Sequence, residues 1–368
     1  MASPAEKAQS LTPSAVQAAY TLIQPYVHRT PLLTCKTLDT IASTPQTPEA
    51  LVGTPFEGQT PARPKFRFFF KCENLQRIGA FKARGAFHAL LRLIEERGEE
   101  EVKRHGVITH SSGNHAQALA LAASTLGVPA YIVMPSISTS SKIAGTRSHG
   151  AEVIFSGSTS VEREAMVEEI QAKTNAILVP PYDDFNIICG QGTTALELEA
   201  QYAEQAGSKT LDAVITPVGG GGLNAGVATY FSDKKTKVFG AEPSFEGADD
   251  CRRGLLAGKR VEAVSTLTIG DGLRTPVGVL NWEVISNKKK VEGVFAVTEE
   301  QIKATMRLVL ERMKVFVEPS AVVGLAVCLF DEDFRRLVER EGGDQGWDMA
   351  IVFSGGNTTV EAISKLFG

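Results

Sequence analysis

The chain has 368 residues, 43% hydrophobic and 22% charged, with a formal net charge of −4. That length suits two domains or one large α/β unit, and the slight acidity argues against nucleic acid or an anionic membrane as the main partner. No apolar run is long enough to span a bilayer, the first residues lack the basic-then-apolar layout of a secretory signal, and five scattered cysteines (Cys35, Cys72, Cys189, Cys251, Cys328) fit reduced thiols in a cytoplasmic protein.

Residues 11 to 28 read as a helix, with Thr12 as N-cap and Pro13 in the first helical position. Residues 40 to 65 hold Pro45, Pro48, Pro55, Pro61 and Pro64 and read as a long surface loop. Phe66 to Lys71 is a strand. A turn-rich link then leads to Phe81-Lys82-Ala83-Arg84-Gly85-Ala86 and a helix from Phe87. A lysine amine condenses with an aldehyde when a partly desolvated setting lowers its pKa. Lys82 is read as such a lysine, against the alternative of an ordinary solvated charge.

Strands are expected at Gly106 to His110, Ala130 to Met134, Ala151 to Phe155 and Ala176 to Val179, with helices at Ala116 to Leu126 and near Val161 to Lys173. This is a compact βα unit set into a larger domain: residues 106–183 form a small inserted domain, and 1–105 with 184–368 the large one. The larger domain resumes with a helix from about Thr193. Strands follow at Leu211 to Val218 and Lys237 to Glu242, then a capping box of Thr298 and Gln301 opening a helix, and a last strand at Ala350 to Phe353. The repeated strand-then-helix order predicts parallel sheets with right-handed crossovers.

Four stretches carry chemistry. Gly219-Gly220-Gly221-Gly222-Leu223-Asn224 lies between a strand and a helix, where successive backbone N–H groups can close around a phosphate; a flexible turn is the plain alternative. It lacks the Rossmann glycine spacing and the Lys-Ser/Thr of a P-loop. Ser111-Ser112-Gly113-Asn114-His115 is a second strand-to-helix turn, able to grip a carboxylate or to serve as an ordinary cap. Ser354 ends a strand and can reach a ring nitrogen or cap the Gly355-Gly356 turn. Glu242, Asp249 and Asp250 can bind a divalent cation or form a solvated acidic loop.

Gly79 to Ala86, Ser111 to Gln117, Gly190 to Thr193, Gly219 to Gly222 and Ser354 to Asn357 occur in an order that resembles the fold-type II pyridoxal-phosphate enzymes, in the branch of serine/threonine dehydratases and serine racemases. Gly270 to Arg274, Leu310 to Lys314 and Glu318-Pro319-Ser320 resemble the eukaryotic racemases within it. The resemblance implies an α/β fold of two domains, each with a mostly parallel sheet flanked by helices. It implies pyridoxal 5'-phosphate on Lys82, beside Phe81, with Asn114 on the phenolic oxygen and Ser354 facing the pyridine nitrogen. Gly219, Gly220, Gly221, Gly222 and Leu223 would hold the phosphate. Ser111, Ser112, Gly113, Asn114 and His115 would hold the substrate carboxylate. Ser112 would be the acid/base opposite Lys82, and Glu242, the Ala248 carbonyl and Asp250 would bind Mg2+, Ca2+ or Mn2+. A homodimer acting on a small amino acid is implied as well.

Some positions depart from the pattern. Ala80 stands where the family has Ser, the Glu242–Asp250 segment is two residues longer than in the racemases, and Pro181-Tyr182-Asp183-Asp184 is nearer the dehydratase form. The main expectation is therefore dehydration of L-serine or L-threonine to a 2-oxo acid and ammonia, accompanied by serine racemisation. The alternatives are a predominant serine racemase, a β-replacement enzyme of the cysteine synthase type, and a catalytically silent binding protein of the same fold.

Overall fold

A computed structural model describes residues 10–368, apart from Ser112, Ser158, Thr159, Ser208 and the side chains of Ser160 and Val161. Helix α1 (Pro13–Ile23) is followed by β1 (Leu32–Leu33), α2 (Lys36–Ser43), β2 (Phe66–Cys72), α3 (Lys82–Arg97) and α4 (Glu99–His105). Then come β3 (Val107–His110), α5 (Asn114–Leu126), β4 (Ala130–Pro135), α6 (Ser140–Arg147), β5 (Glu152–Ser156), α7 (Ser160–Thr174) and β6 (Ile177–Leu178). The chain continues through α8 (Phe185–Ala206), β7 (Ala213–Pro217), α9 (Gly222–Phe231), β8 (Lys237–Pro243), α10 (Asp250–Ala257) and α11 (Val279–Ile285). It ends with β9 (Gly293–Val297), α12 (Glu299–Leu308), α13 (Val323–Phe330), α14 (Glu332–Gly342), β10 (Trp347–Phe353) and α15 (Val360–Phe367).

The strands form two sheets. One has the order β1-β2-β10-β7-β8-β9, antiparallel at the β1–β2 edge and parallel elsewhere; the other has the order β5-β4-β3-β6 and is parallel throughout. Both faces of the larger sheet are covered, so its central strands are apolar at nearly every position. In β2, Phe66, Phe68 and Phe70 enter one core with α12, α13 and α14, while Phe69 enters the other with α8 and α9. In β10, Met349, Ile351 and Phe353 face the first core, and Ala350 and Val352 the second. This is the two-residue alternation of a pleated strand with no wet side.

Several bounds differ from the sequence reading. Helix α1 stops at Ile23 rather than near residue 28: Gln24 keeps helical angles and its N–H still bonds Tyr20 O, but Pro25 has no N–H with which to continue the ladder. The proline-rich stretch from 40 to 65 begins inside α2 and contains a 3-10 turn, Pro48–Leu51, capped by Thr47. Helix α8 begins at Phe185, eight residues before the expected start, on an N-cap formed by Asp184, whose side chain accepts from Ile187 N. The capping box of Thr298 and Gln301 is present as read.

Helix α8 is the spacer between α3 and α9. A Cβ at Gly190 would lie 2.7 Å from Gly85 Cα, and one at Gly192 would lie 2.7 Å from Gly226 O. Residues two apart point to opposite helix faces, so α8 meets both neighbours at backbone distance. Helix propensity alone predicts that Gly226→Ala stabilises the protein by roughly 1 kcal/mol. The crossing predicts the opposite, since the new methyl would meet Ile188 O, and Gly192 N at 2.6 Å. Urea unfolding of G226A is expected to show a loss of about 1–3 kcal/mol.

Candidate active site

Lys82 opens α3, five residues earlier than the helix read from sequence, and is reached through a constrained turn. Phe81 N donates to Ser354 O (3.1 Å), Gly356 N to Gly79 O (2.9 Å) and Asn357 Nδ2 to Ile78 O (2.8 Å), while Ala80 bridges Gly355. The turn is thus laced to the Gly-Gly segment after β10. Ile78 sits at φ 57°, a left-handed conformation that a β-branched residue adopts only when its surroundings force it. The Lys82 amine donates to Pro181 O (2.6 Å) and lies 5.3 Å from the Phe81 ring centroid. Burial disfavours its ammonium form and lowers its pKa to about 8.

Pro181 begins a strap that runs from the lysine to the glycine turn. The Tyr182 ring presses on Gly220, where a side chain would collide with it. Asn281 Nδ2 donates to both Gly220 O (2.7 Å) and Tyr182 O (3.2 Å), and Gly278 N also donates to Gly220 O (3.1 Å). Gly221 sits at φ +90° against Asn281 and Val277, a conformation favouring glycine. Gly219, Gly220, Gly221, Gly222 and Leu223 are all buried, and the first N–H groups of α9 have no partner within their own helix. The turn therefore uses its carbonyls to hold neighbours and offers N–H groups at a helix N-terminus, a setting suited to an anion.

The second turn precedes α5. Ser111 Oγ accepts from Gly113 N (3.3 Å), and Ser112 lies outside the described residues. Asn114 opens the helix, donating through Nδ2 to Glu318 Oε1 (3.0 Å) and accepting at Oδ1 from Asn357 Nδ2 (2.7 Å). Glu318 also accepts from Asn357 N (3.0 Å). Burial first, and the Asp271 charge next, push its carboxyl up to about 7. His115 is buried with Nε2 at 3.3 Å from Val179 O, and burial, then the nearby Lys82 charge, lower its pKa to about 3, leaving the ring neutral. Ser354 is buried at the end of β10.

Contacts thus join most of the expected site. Lys82 reaches the glycine turn through Pro181 and Tyr182, Phe81 is tied to Ser354, and Asn114 to the Ser354 turn through Asn357. Glu242, Ala248 and Asp250 lie to one side. Glu242 accepts from Cys251 N and Arg252 N (both 3.0 Å), and Asp250 from Val277 N (3.2 Å), the residue that packs on Gly221. No group of three or more His, Cys, Asp and Glu able to hold a metal occurs among the described residues. Burial raises both carboxyls, Glu242 well above its usual range and Asp250 to about 6, with Asp250 the next cause for Glu242. Ala248 is buried beside them.

Glu318 and Asn281 escaped the sequence reading as site residues. Glu318 appeared there only inside a family-like segment, and Asn281 belongs to no local motif. Their places are set by contacts across more than 60 residues of chain. A carboxyl raised from 4.5 to about 7 in the fold holds its proton where the unfolded chain has lost it. Its contribution to stability is complete below about pH 4.5 and is lost as pH rises past about 7. Glu318→Gln is therefore expected to flatten the fall in unfolding free energy between pH 5 and pH 8 by on the order of 2 kcal/mol, read by urea denaturation at each pH.

With this geometry in hand, the chain compares closely with known proteins. Residues 53–355 match the family described as pyridoxal-phosphate dependent enzyme. A serine racemase of Arabidopsis thaliana is 38% identical over 354 residues, covering 96% of this chain and 95% of that protein. The solved serine racemase of Dictyostelium discoideum superposes with a TM-score of 0.78 at 38% identity, covering 95% of this chain and 99% of the other. A T.th. threonine deaminase superposes with a TM-score of 0.76 at 36% identity and the same coverage. The chain belongs to the fold-type II pyridoxal-phosphate enzymes, in the family that unites serine racemases with serine/threonine dehydratases.

Proposed function

We propose that the chain is a serine racemase, with elimination of water from L-serine and L-threonine as a second activity of the same site. The order of these two is reversed from the sequence reading, because serine racemases dominate the similar proteins. The observation that carries the proposal is a half-buried lysine whose desolvated amine has a pKa of about 8, joined by one strap to an N–H-lined glycine turn.

Pyridoxal phosphate, when bound, draws electrons from the α-carbon and so makes its proton removable. Lys82 would bear the cofactor through its amine, and that amine, once free, would take or return the α-proton at Nζ. Its lowered pKa keeps a useful fraction of the amine neutral near pH 7. The N–H groups from Gly219 to Leu223 would hold the phosphate, and Phe81 would pack beside the ring. Asn114 would donate to the phenolic oxygen, and the neutral Ser354 hydroxyl would face the pyridine nitrogen without protonating it. Ser111, Gly113, Asn114 and His115, with Ser112, hold the substrate carboxylate. Ser112 returns a proton on the face opposite Lys82, which inverts the α-carbon. When the β-hydroxyl leaves instead, hydrolysis yields a 2-oxo acid and ammonia. Tyr182, in a segment nearer the dehydratase form, and the threonine deaminase likeness support this second outcome.

Glu242, Asp250 and the Ala248 carbonyl form a cation site for Mg2+, Ca2+ or Mn2+ in this reading. Its support is a pair of mutually repelling buried carboxyls, with Asp250 Oδ1 buried and unpartnered by protein. The family resemblance also supports a homodimer, which light scattering on the purified protein tests.

L-Serine incubated with the cofactor-loaded enzyme is expected to give D-serine by chiral chromatography, and pyruvate as a lesser product. Lys82→Ala should abolish both, together with borohydride-trapped cofactor, and Ser112→Ala should lose racemisation while the cofactor stays bound. Wild-type enzyme that forms neither product sinks the proposal. Millimolar Mg2+ is expected to raise the melting temperature of the wild type but not of Asp250→Asn. That gain should fade below about pH 6 as the Asp250 carboxylate takes up its proton.

A further inference from the structure

Two residues beyond Lys82, the Arg84 side chain runs into a chamber closed by β2, α8 and the segment before β1. Its Nε and Nη2 donate to the two carboxylate oxygens of Glu73 (2.7 and 2.8 Å), and its Nη1 and Nη2 to those of Glu197 (2.9 and 2.8 Å). Lys71 Nζ donates to Glu197 Oε2, Gln201 Oε1 and Thr30 O, each at 2.8 Å. Thr30 Oγ1 donates to Glu73 Oε1 (2.6 Å), and Gln201 Nε2 returns to Thr30 O (2.8 Å). All four charged side chains are buried. Burial, the largest influence, would raise the Glu73 carboxyl; Arg84, Lys71 and Thr30 together outweigh it and hold the group below its usual range.

A buried ion network is a poor way to gain stability, since apolar residues of similar volume usually do as well or better. What it does provide is direction. A two-point grip on each side of a planar guanidinium fixes its orientation and so the turn that bears it. That turn is the first of α3, and Lys82 is its first residue. The network also balances, with two cations against two anions. The Lys82 amine accordingly owes its lowered pKa to burial. The titratable group that senses Lys82 from α5 is His115, which is neutral.

We propose that Arg84, with Lys71, Glu73 and Glu197, is a positioning residue for Lys82: a charge-balanced clamp that fixes the first turn of α3, and with it the direction in which the amine leaves toward Pro181, without adding a net charge to the chamber behind it. This rests on the reading of Lys82 as the cofactor-bearing lysine. The clamp makes a signed demand. Arg84→Gln leaves Glu73 and Glu197 against Lys71 alone and raises the Lys82 pKa, by less than about 1 because burial then draws the Glu73 carboxyl toward its neutral form. Glu73→Gln leaves an excess cation and lowers it by about 1, at an effective dielectric of roughly 20. Arg84→Lys keeps the balance, loses the fork, and leaves the pKa near that of the wild type.

The pKa is read on cofactor-free protein, from the pH dependence of the rate at which fluorodinitrobenzene modifies Lys82, followed by peptide mass mapping. The same variants, loaded with pyridoxal phosphate and reduced with borohydride, give the fraction trapped at Lys82. Opposite shifts in R84Q and E73Q, with trapping reduced at least several-fold in R84Q and R84K, support the clamp. A drop in melting temperature with the Lys82 pKa and the trapped fraction unchanged overturns it. Should R84Q fail to fold, E73Q, which keeps shape and most hydrogen bonds, decides alone: an unmoved or raised pKa overturns the clamp. Wild-type protein that traps cofactor at another lysine overturns the cofactor reading instead, and leaves the free-amine pKa result standing by itself.

Discussion

Helix α8 touches α3 on one side and α9 on the other at backbone distance, through Gly85 with Gly190 and Gly192 with Gly226. Neither crossing has room for a methyl group. The separation between the helix that starts at Lys82 and the helix that starts at the glycine turn is thereby fixed by backbone atoms rather than by side chains that could repack. Gln191, between the two glycines, accepts from Gly85 N (3.1 Å), so the same three residues also set the rotation of α3 about its axis. Under the proposed function the lysine would reach an aldehyde while the turn held the phosphate of the same molecule, and that pair of tasks would need such a spacer.

The ionisable groups around this frame share one tendency. Lys82 is lowered to about 8, His115 to about 3, and Glu318 is raised to about 7, with burial the first cause in each case. Each of these three shifts moves toward the neutral form, whereas Glu73 and Arg84 hold each other in their charged forms. An anion bound at the glycine turn would then meet N–H dipoles rather than a formal cation. The lysine would keep its proton affinity set by its own burial instead of by a neighbouring charge. Neutral His115 and Asn114 can orient a carboxylate without competing for the α-proton.

The parts of the site written in contiguous residues were legible. Lys82 behind its turn, the four glycines between β7 and α9, and the Thr298–Gln301 capping box all follow from local rules that hold wherever the segment is placed. The start of α8 was not, because Asp184 caps it only once Pro180-Pro181 has turned the chain, and the apolar period of α8 is broken by Gly190 and Gly192. Edge strand β9 and helices α10, α11 and α13 are eight residues or shorter, and α13 is buried at all but its last position, leaving little periodicity to read; α14 has one buried face and carried a signal that local reading could have used. Glu318 could not be found locally at all. Its neighbours Asn114 and Asn357 come from the start of α5 and the end of β10, and only the packing of the two sheets brings them to one carboxylate.

The segment Pro181-Tyr182-Asp183 shows how such long-range placement becomes mechanical. Pro181 O takes the Lys82 amine, the Tyr182 ring covers Gly220, and the Asp183 carboxylate accepts from Val279 N (2.8 Å) and Leu280 N (2.9 Å) at the start of α11. Asp183 caps that helix from 96 residues away in sequence, so α11 is anchored by the strap and not by its own flanking residues. Asn281, one residue further along α11, then spends both amide hydrogens on Gly220 O and Tyr182 O. Lysine, strap, glycine turn and α11 form a closed loop of contacts. A displacement of the lysine amine from Pro181 O therefore acts directly on the backbone that carries Tyr182, and through the Tyr182 ring on the glycine turn. Under the proposed function, bonding of Lys82 to an aldehyde would be such a displacement.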